Sequence, residues 1–269
     1  MGIFKDMKIE ILQNRYKKIY VLSYGGGVNS SALFFYLIQN NYPIDLVIFA
    51  DTGDESNETY DAVTRMKKEC NKYNIKFVIV ESKYKTQYGS LNDYYYAKKA
   101  IPSLMKRDCT SKFKISPIRQ YLRSTYGKQQ KFVMYIGIAS NEISRMRKSD
   151  VNYMEFAYPF CYDNIDRIGN EEILKKNNFK ATKSGCKGCI FLKKKQWIEM
   201  IKIDLKEFER WERLEKNNSK GLKYNGNYSL VSLKESTLSE GNLMDYLKDD
   251  DDDDETYQTC NSIHGGCML

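Results

Sequence analysis

The chain has 269 residues, of which 42% are hydrophobic and 13% aromatic, enough to bury a core and to exclude a wholly disordered chain. No stretch approaches the roughly 20 apolar residues that span a bilayer, and the N-terminus lacks the apolar segment of a secretory signal, so we expect a cytoplasmic protein without a membrane partner. The formal net charge of +8 suits a polyanion such as a nucleotide or nucleic acid, although lysines that only solvate the surface would give the same charge.

Strands and helices alternate along the first half of the chain. Short β-branched and aromatic runs predict strands at 18–23, 45–50, 76–80 and 132–138. Apolar periodicity predicts helices at 30–39, 56–74, 91–99 and 115–126. Because strand–helix–strand order implies parallel pairing through right-handed crossovers, we predict a doubly wound parallel sheet of the Rossmann-like α/β class.

The second half is less regular. We predict a helix at 171–177 and one amphipathic helix at about 196–216, and we assign nothing to 221–247. The acidic run from Asp249 to Glu255 has the composition of a disordered spacer. The predicted organisation is a nucleotide-binding domain at 1–150, a mostly helical region with cysteines at 151–247, and an acidic spacer with a cysteine-containing tail at 248–269.

A glycine-rich loop follows the first predicted strand, in the sequence SYGGGVNSS at 23–31. Glycines allow positive φ and let a phosphate approach bare backbone N–H groups, and the N-terminus of the next helix adds partial positive charge. Ser30 and Ser31 could cap that helix or bond phosphate oxygens. The alternative is a tight turn that binds nothing. Neither the Walker A pattern nor GxGxxG matches.

The sequence SYGGGVNSSAL at 23–33 resembles the PP-loop, SGGxDS, of the adenine-nucleotide alpha-hydrolase superfamily. Four further segments resemble its phosphoadenosine phosphosulfate (PAPS) reductase-like family, in the family's order. They are FADTGDESNET at 49–59, RDCTSKFKISPI at 107–118, GIASNEISRMRK at 137–148 and SGCKGCIF at 184–191. The resemblance covers about 18–215. It departs at Gly25, where the pattern has serine, and at Asn29, where it has aspartate, so that a negative charge is lost.

The resemblance implies a sheet that binds ATP or PAPS, with Mg²⁺ on the pyrophosphate leaving group. The nucleotide-binding residues that it implies are Ser23, Gly25, Gly26, Gly27, Asn29, Ser30, Asp51, Thr52, Gly53, Gly137 and Glu142. The catalytic residues that it implies are Ser30, Lys114, Arg145 and Cys109, with Arg147 a further cation. Each cation could instead be a solvated surface charge, and Asp51 could form an Asx turn instead of contacting Mg²⁺ or ribose.

Seven cysteines in an intracellular chain favour metal, cluster or sulfur chemistry over disulfides. The CxxC spacing of Cys186 and Cys189 lets two thiolates bind one metal or cluster. Two ligand sets remain open: Cys186 and Cys189 with Cys260 and Cys267, or a [4Fe–4S] cluster on Cys109, Cys186, Cys189 and one tail cysteine. The family resemblance favours a [4Fe–4S] cluster over Zn²⁺.

Several other side chains have less specific interpretations. Cys70 lies on the apolar stripe of a helix, and we expect it and Cys161 in the core. The lysines at 193–195 and the tyrosines at 94–96 could follow a nucleic-acid strand by charge and stacking, or could solvate the surface and pack the core.

Three functions are compatible with the sequence. The first is an ATP pyrophosphatase that adenylates a target for sulfur transfer, in nucleic-acid thiolation or phosphorothioation, with a cysteine desulfurase or another sulfur donor as partner. The second is a reductase that releases sulfite from PAPS or adenylyl sulfate, for which Cys260 and His264 match the family's tail element poorly. The third is a non-catalytic nucleotide-binding module of a larger assembly.

Overall fold

The architecture is a five-stranded, all-parallel sheet with helices on both faces, seen in a computed structural model that describes residues 18–103, 107–224 and 227–239. The strand order is β3-β2-β1-β4-β5, which confirms the predicted doubly wound α/β class. The central strand β1 pairs with both β2 and β4, so the order of connection reverses between β1 and β4. The strands are β1 Ile19–Ser23, β2 Leu46–Asp51, β3 Lys76–Glu81, β4 Phe132–Tyr135 and β5 Met154–Ala157.

Helices fill the crossovers and make up most of the region after the sheet. A helical turn at Asp108–Thr110 and a π-helical turn at Ser111–Ile115 lead into α5, and a 3₁₀ turn covers Ser140–Arg145. In the described part of the chain, no helix could cross a membrane. The helices are α1 Val28–Gln39, α2 Asn57–Lys72, α3 Lys83–Tyr88, α4 Leu91–Ala97, α5 Ser116–Tyr126, α6 Pro159–Tyr162, α7 Arg167–Lys176, α8 Lys194–Ile203, α9 Leu205–Asn217 and α10 Leu230–Ser239.

The structure differs from the prediction mainly after residue 150. The strand β5 was not predicted, and it extends the sheet beyond residue 150. The single helix expected at about 196–216 is wrong. Asp204 lies outside helical φ/ψ, ends α8, and caps α9 by accepting the Glu207 N–H at 3.1 Å. Helix α10 lies in the segment that we left unassigned.

Three apolar clusters hold the layers together. One lies on each face of the sheet, and the third joins α4, α8, α9 and α10 around Trp197 and Trp211, which are 1% and 0% exposed. Tyr94 and Tyr95 are buried in that third cluster. Cys70 and Cys161 are buried as expected, and burial raises the pKa of their thiols to about 12 and about 11.

Candidate functional site

A cavity of about 550 Å³ opens at the carboxyl ends of β1, β2 and β4. In open α/β sheets, ligands bind at this edge, where the order of connection reverses. Much of the predicted site meets there. The predicted residues that line the cavity are Ser23, Gly25, Gly27, Asn29, Ser30, Lys114, Gly137, Glu142, Arg145, Cys186 and Cys189.

The glycine loop leads directly into α1. The helix begins at Val28 with Gly27 at its N-cap, so of the two roles considered for Ser30 and Ser31, capping of this helix is excluded. Instead the Ser30 Oγ accepts the Gly25 N–H at 3.2 Å and donates to the Gly27 carbonyl at 3.2 Å. Ser30 therefore fixes the curvature of the loop, and the loop lies against the positive end of the helix dipole.

Two segments pack so closely on the loop that side chains there would collide. At Gly26, with φ of 76°, a Cβ would lie 2.7 Å from the Thr59 Cγ2. At Gly27 a Cβ would lie 2.6 Å from the Ser184 Oγ and 3.1 Å from the Ser184 N. The segment before the CxxC thus packs against the glycine loop and forms part of the cavity wall next to it.

The three predicted residues at the end of β2, Asp51, Thr52 and Gly53, do not line the cavity, whereas Phe49 and Ala50 do. Asp51 accepts the Gly53 N–H at 2.9 Å, which is the Asx turn, and also bonds Tyr60 and Lys85. Burial raises the pKa of Asp51, but these hydrogen bonds outweigh it and hold the pKa below its usual value. Both carboxylate oxygens of Asp51 are therefore already hydrogen-bonded to other groups of the protein.

Glu55 is a site residue that the motif analysis missed. It is 0% exposed, and its Oε1 lies 2.9 Å from the Lys114 Nζ and accepts the Thr52 hydroxyl at 3.0 Å. The Cys186 Sγ lies 4.0 Å from the same oxygen. The π-helical turn brings Lys114 to the cavity, and such turns are frequent at functional sites. Only the position of Glu55 inside the DTG…ET segment could have indicated it.

A second polar group follows β4. Gly137 lets that strand end approach α1, since a Cβ there would lie 2.9 Å from the Ser30 N. The Asn29 Nδ2 donates to the Glu142 Oε2 at 2.9 Å, and Glu142 also pairs with Arg145. Asn170 of α7 completes the group by donating to the Asn29 Oδ1 at 3.1 Å. Sequence reasoning did not single out Asn170, and no motif carries it.

The CxxC turn is fixed to the strand edge and to the third apolar cluster. The Ser56 N–H donates to the Gly185 carbonyl at 3.0 Å, and the Lys187 N–H donates to the Asp54 carbonyl at 2.8 Å. On its other side, Gly188 lies directly on the Trp211 indole. These contacts hold both CxxC thiols at the cavity wall.

The remaining predicted metal ligands are placed differently. Cys109 does not line the cavity, but it packs in the same apolar cluster as Cys186. Cys260 and Cys267 lie outside the described residues, as does His264. Among the residues that the structure describes, no three His, Cys, Asp or Glu side chains are grouped to hold a metal ion.

A buried hydroxyl lies near the two thiols. The Tyr224 hydroxyl has no hydrogen-bond partner within the described ranges. Burial, and then the nearby Glu215 and Cys189, raise its pKa well above the usual value. The Tyr224 ring is fixed against Trp197 and Trp211.

The parallel sheet, the glycine loop and the cavity at the strand ends define a doubly wound α/β domain with a cavity at its switch point. Comparison with known families identifies the family within this fold class. The chain belongs to the family of the phosphoadenosine phosphosulfate reductase domain, whose family model matches residues 19–155. The CxxC and Asn170 lie beyond that range.

Curated proteins and solved structures give two further comparisons. No curated protein matches the chain. Among solved structures, the chain is similar to the U34-tRNA thiolase NcsA from Methanococcus maripaludis with its [4Fe-4S] cluster, at 14% sequence identity and a TM-score of 0.47. That match covers 82% of this chain and 72% of NcsA.

Proposed function

We propose that this protein is an ATP pyrophosphatase of the PAPS reductase family that adenylates an acceptor for sulfur transfer. One observation carries the proposal: the glycine loop and the thiols of Cys186 and Cys189 line the same cavity. An acceptor can then be adenylated at the α-phosphorus of ATP and can receive sulfur without leaving the site.

The glycine loop and two cations would perform the first step. An oxygen of the acceptor attacks the α-phosphorus of ATP, the bond to the bridging oxygen of the β-phosphate breaks, and pyrophosphate leaves. The loop N–H groups, Lys114 and Arg145 face the charge that grows on the α-phosphate oxygens, and fixed donors of this kind stabilise the transition state. Mg²⁺ on the nucleotide would neutralise the leaving group.

The second step replaces the activated oxygen by sulfur. A sulfur nucleophile forms a bond to the acceptor atom that carries the adenylated oxygen, the bond between that atom and the oxygen breaks, and AMP leaves with the oxygen. The CxxC thiols are the groups of this chain placed to hold sulfur beside the nucleotide.

Thiolates are soft ligands that suit a [4Fe–4S] cluster or Zn²⁺, so the donor set of the CxxC fits such a group. Cys186 and Cys189 would hold it, with the tail cysteines Cys260 and Cys267 as the remaining ligands, because Cys109 is not grouped with these two thiols in the described part of the chain. Tyr224 packs in the same apolar cluster as Cys186, and its hydroxyl, which has no partner among the described residues, would be a hydrogen-bond donor to such a group. When bound, a cluster would supply a thiophilic site for sulfur.

The acceptor that we propose is a nucleic acid, with a cysteine desulfurase or another sulfur donor as partner. The net charge of +8 supports a polyanion, and Arg167 and Lys183 add positive charge to the cavity wall. Glu199 of α8 and Glu207 of α9 also line the wall. We therefore place the nucleic-acid backbone on the α7 side, away from these carboxylates.

Pyrophosphate release from ATP, in the presence of candidate acceptors, tests the proposal. Lys114→Ala should lower the rate about 100-fold, because it removes a cation from the transition state. Lys112→Ala is the matched control, since Lys112 lies two residues away but bonds Asp108 and Tyr94 instead of lining the cavity. Equal rates in both variants would contradict the proposal.

The family itself favours a second candidate, the reduction of PAPS or adenylyl sulfate. Sulfite release from either compound, lost in Cys260→Ser, would establish it and would replace the pyrophosphatase. Tight nucleotide binding without any turnover would instead identify a non-catalytic module.

A further inference from the structure

A chain of polar contacts joins α7 to the arginine at the cavity wall. The Asn170 Nδ2 donates to the Asn29 Oδ1 at 3.1 Å, and the Asn29 Nδ2 donates to the Glu142 Oε2 at 2.9 Å. The other oxygen of Glu142 pairs with the Arg145 guanidinium. The four residues come from three separate parts of the fold, so this contact chain, Asn170–Asn29–Glu142–Arg145, depends on the tertiary structure.

The Glu142 carboxylate determines which group donates and which accepts in each hydrogen bond of the contact chain. Ionised Glu142 can only accept hydrogen bonds, so Asn29 must present its amino group to it. The Asn29 carbonyl oxygen then faces Asn170, which must donate. An aspartate at position 29, as in the SGGxDS pattern, would set a second carboxylate against Glu142 at hydrogen-bonding distance.

The burial of Asn170 indicates that the function of its amide is the hydrogen bond to Asn29. Asn170 is 0% exposed, and its Oδ1 has no partner among the described residues. A buried amide with one unsatisfied end is destabilising relative to an apolar side chain of similar size. Packing alone would favour leucine at this position, so the bond to Asn29 is the feature that the amide provides.

Arg145 is the group that the contact chain controls. Its side chain is 14% exposed and lines the cavity, and its Nε has no partner among the described residues. The ion pair with Glu142 therefore fixes which way the guanidinium points. A guanidinium held in this way can direct its remaining N–H groups at an anionic ligand.

We infer that Asn170 and Asn29 are positioning residues of the nucleotide site, which act through Glu142 to hold Arg145 toward the phosphates. The inference rests on the proposed binding of ATP in the cavity. It assigns a role to Asn170, which lies outside the region that matches the family, and to the asparagine that replaces the family's aspartate. It also predicts that the carboxylate and the amide can be exchanged between positions 29 and 142.

Calorimetric titration with MgATP and with adenosine tests the inference. Asn170→Leu keeps the size and removes the bond, and it should weaken ATP binding about 10-fold while adenosine binding is unchanged, because Arg145 meets only phosphate. Asn177→Ala, at the C-cap of the same helix, is the control, since the Asn177 side chain bonds only the Ile173 carbonyl of the last turn and, at 3.4 Å, Gln39. Thermal unfolding of each variant checks that the fold is retained.

Exchanging the carboxylate and the amide between positions 29 and 142 gives a second, independent test. Asn29→Asp alone should weaken ATP binding about 100-fold, since two carboxylates then meet. The double variant Asn29→Asp, Glu142→Gln should return to within about 3-fold of the wild type, because the amide now donates from position 142 and its oxygen still accepts from Arg145.

The outcomes separate this inference from the proposed function. Unchanged ATP binding in Asn170→Leu, or a double variant no better than Asn29→Asp, would overturn the positioning role and leave the pyrophosphatase proposal intact. Wild-type protein that does not bind ATP would overturn both.

Discussion

Replacement of Gly188 by alanine should displace the CxxC turn, whereas the same change at Gly185 should not. A Cβ at Gly188 would lie 2.1 Å from the Cδ2 and Cε3 atoms of Trp211, and a Cβ at Gly185 would have nothing within 4 Å. Each of the two glycines directly precedes one cysteine of the CxxC, so the two variants are matched and differ in what the added methyl group meets.

Trp211 cannot move aside. It is fully buried, its Nε1 donates to the Glu207 Oε1 at 2.8 Å, and its ring lies 6.3 Å from that of Tyr224. The turn must therefore move by about 1.5 Å to restore ordinary contact between carbons. Overpacking of this kind costs about 1–3 kcal/mol. Since Cys186 and Cys189 flank Gly188, they would leave their places at the cavity wall.

Two measurements check this prediction. Thermal unfolding should show Gly188→Ala destabilised by that amount and Gly185→Ala within about 0.5 kcal/mol of the wild type. Anaerobic reconstitution with iron and sulfide, or with Zn²⁺, should load the Gly185 variant as the wild type and the Gly188 variant poorly. Equal stability and equal metal content in the two variants would refute the placement of the turn on Trp211.

Two ion pairs lead to further predictions. Asp51→Asn should lower the free energy of unfolding by about 2 kcal/mol at neutral pH, since it breaks the pair with Lys85. Because the pKa of Asp51 is lowered in the folded state, this contribution is present above about pH 4 and is lost as the pH falls through the folded pKa, so urea unfolding curves of wild type and variant should converge in acid. Glu55→Gln should cost about 3 kcal/mol, because it leaves the Lys114 charge without its buried counter-ion. Glu155→Gln, which removes the carboxylate of a 62% exposed side chain from its pair with Lys18, should cost less than about 1 kcal/mol in the same assay, and a cost equal to that of Glu55→Gln would contradict the burial argument.

The sheet was predictable where the sequence has long apolar runs. The strands β1 to β4 were identified because their side chains are mostly apolar and turn residues bound them. The strand β5 has only four residues, with Glu155 exposed, so its pattern is too short to read. The break at Asp204 was missed because apolar periodicity continues on both sides, and capping by an aspartate side chain leaves that periodicity unchanged.

The site was predictable only as far as local motifs extend. The glycine loop, Lys114 and the CxxC belong to short motifs, and the structure brings them to one cavity. Asn170 is 141 positions from Asn29, and Glu55 is 131 positions from Cys186, so no spacing rule connects them. Contacts of this kind arise from the packing of α7 and the CxxC turn onto the sheet.

A crystal structure with the α,β-methylene analogue of ATP and Mg²⁺ is the most direct test that the glycine loop binds an adenine nucleotide. The account predicts phosphate oxygens within hydrogen-bonding distance of the backbone N–H groups of the loop, with Lys114 and Arg145 turned toward them. An analogue bound elsewhere, or a loop still covered by Ser184 at saturating analogue, would contradict it.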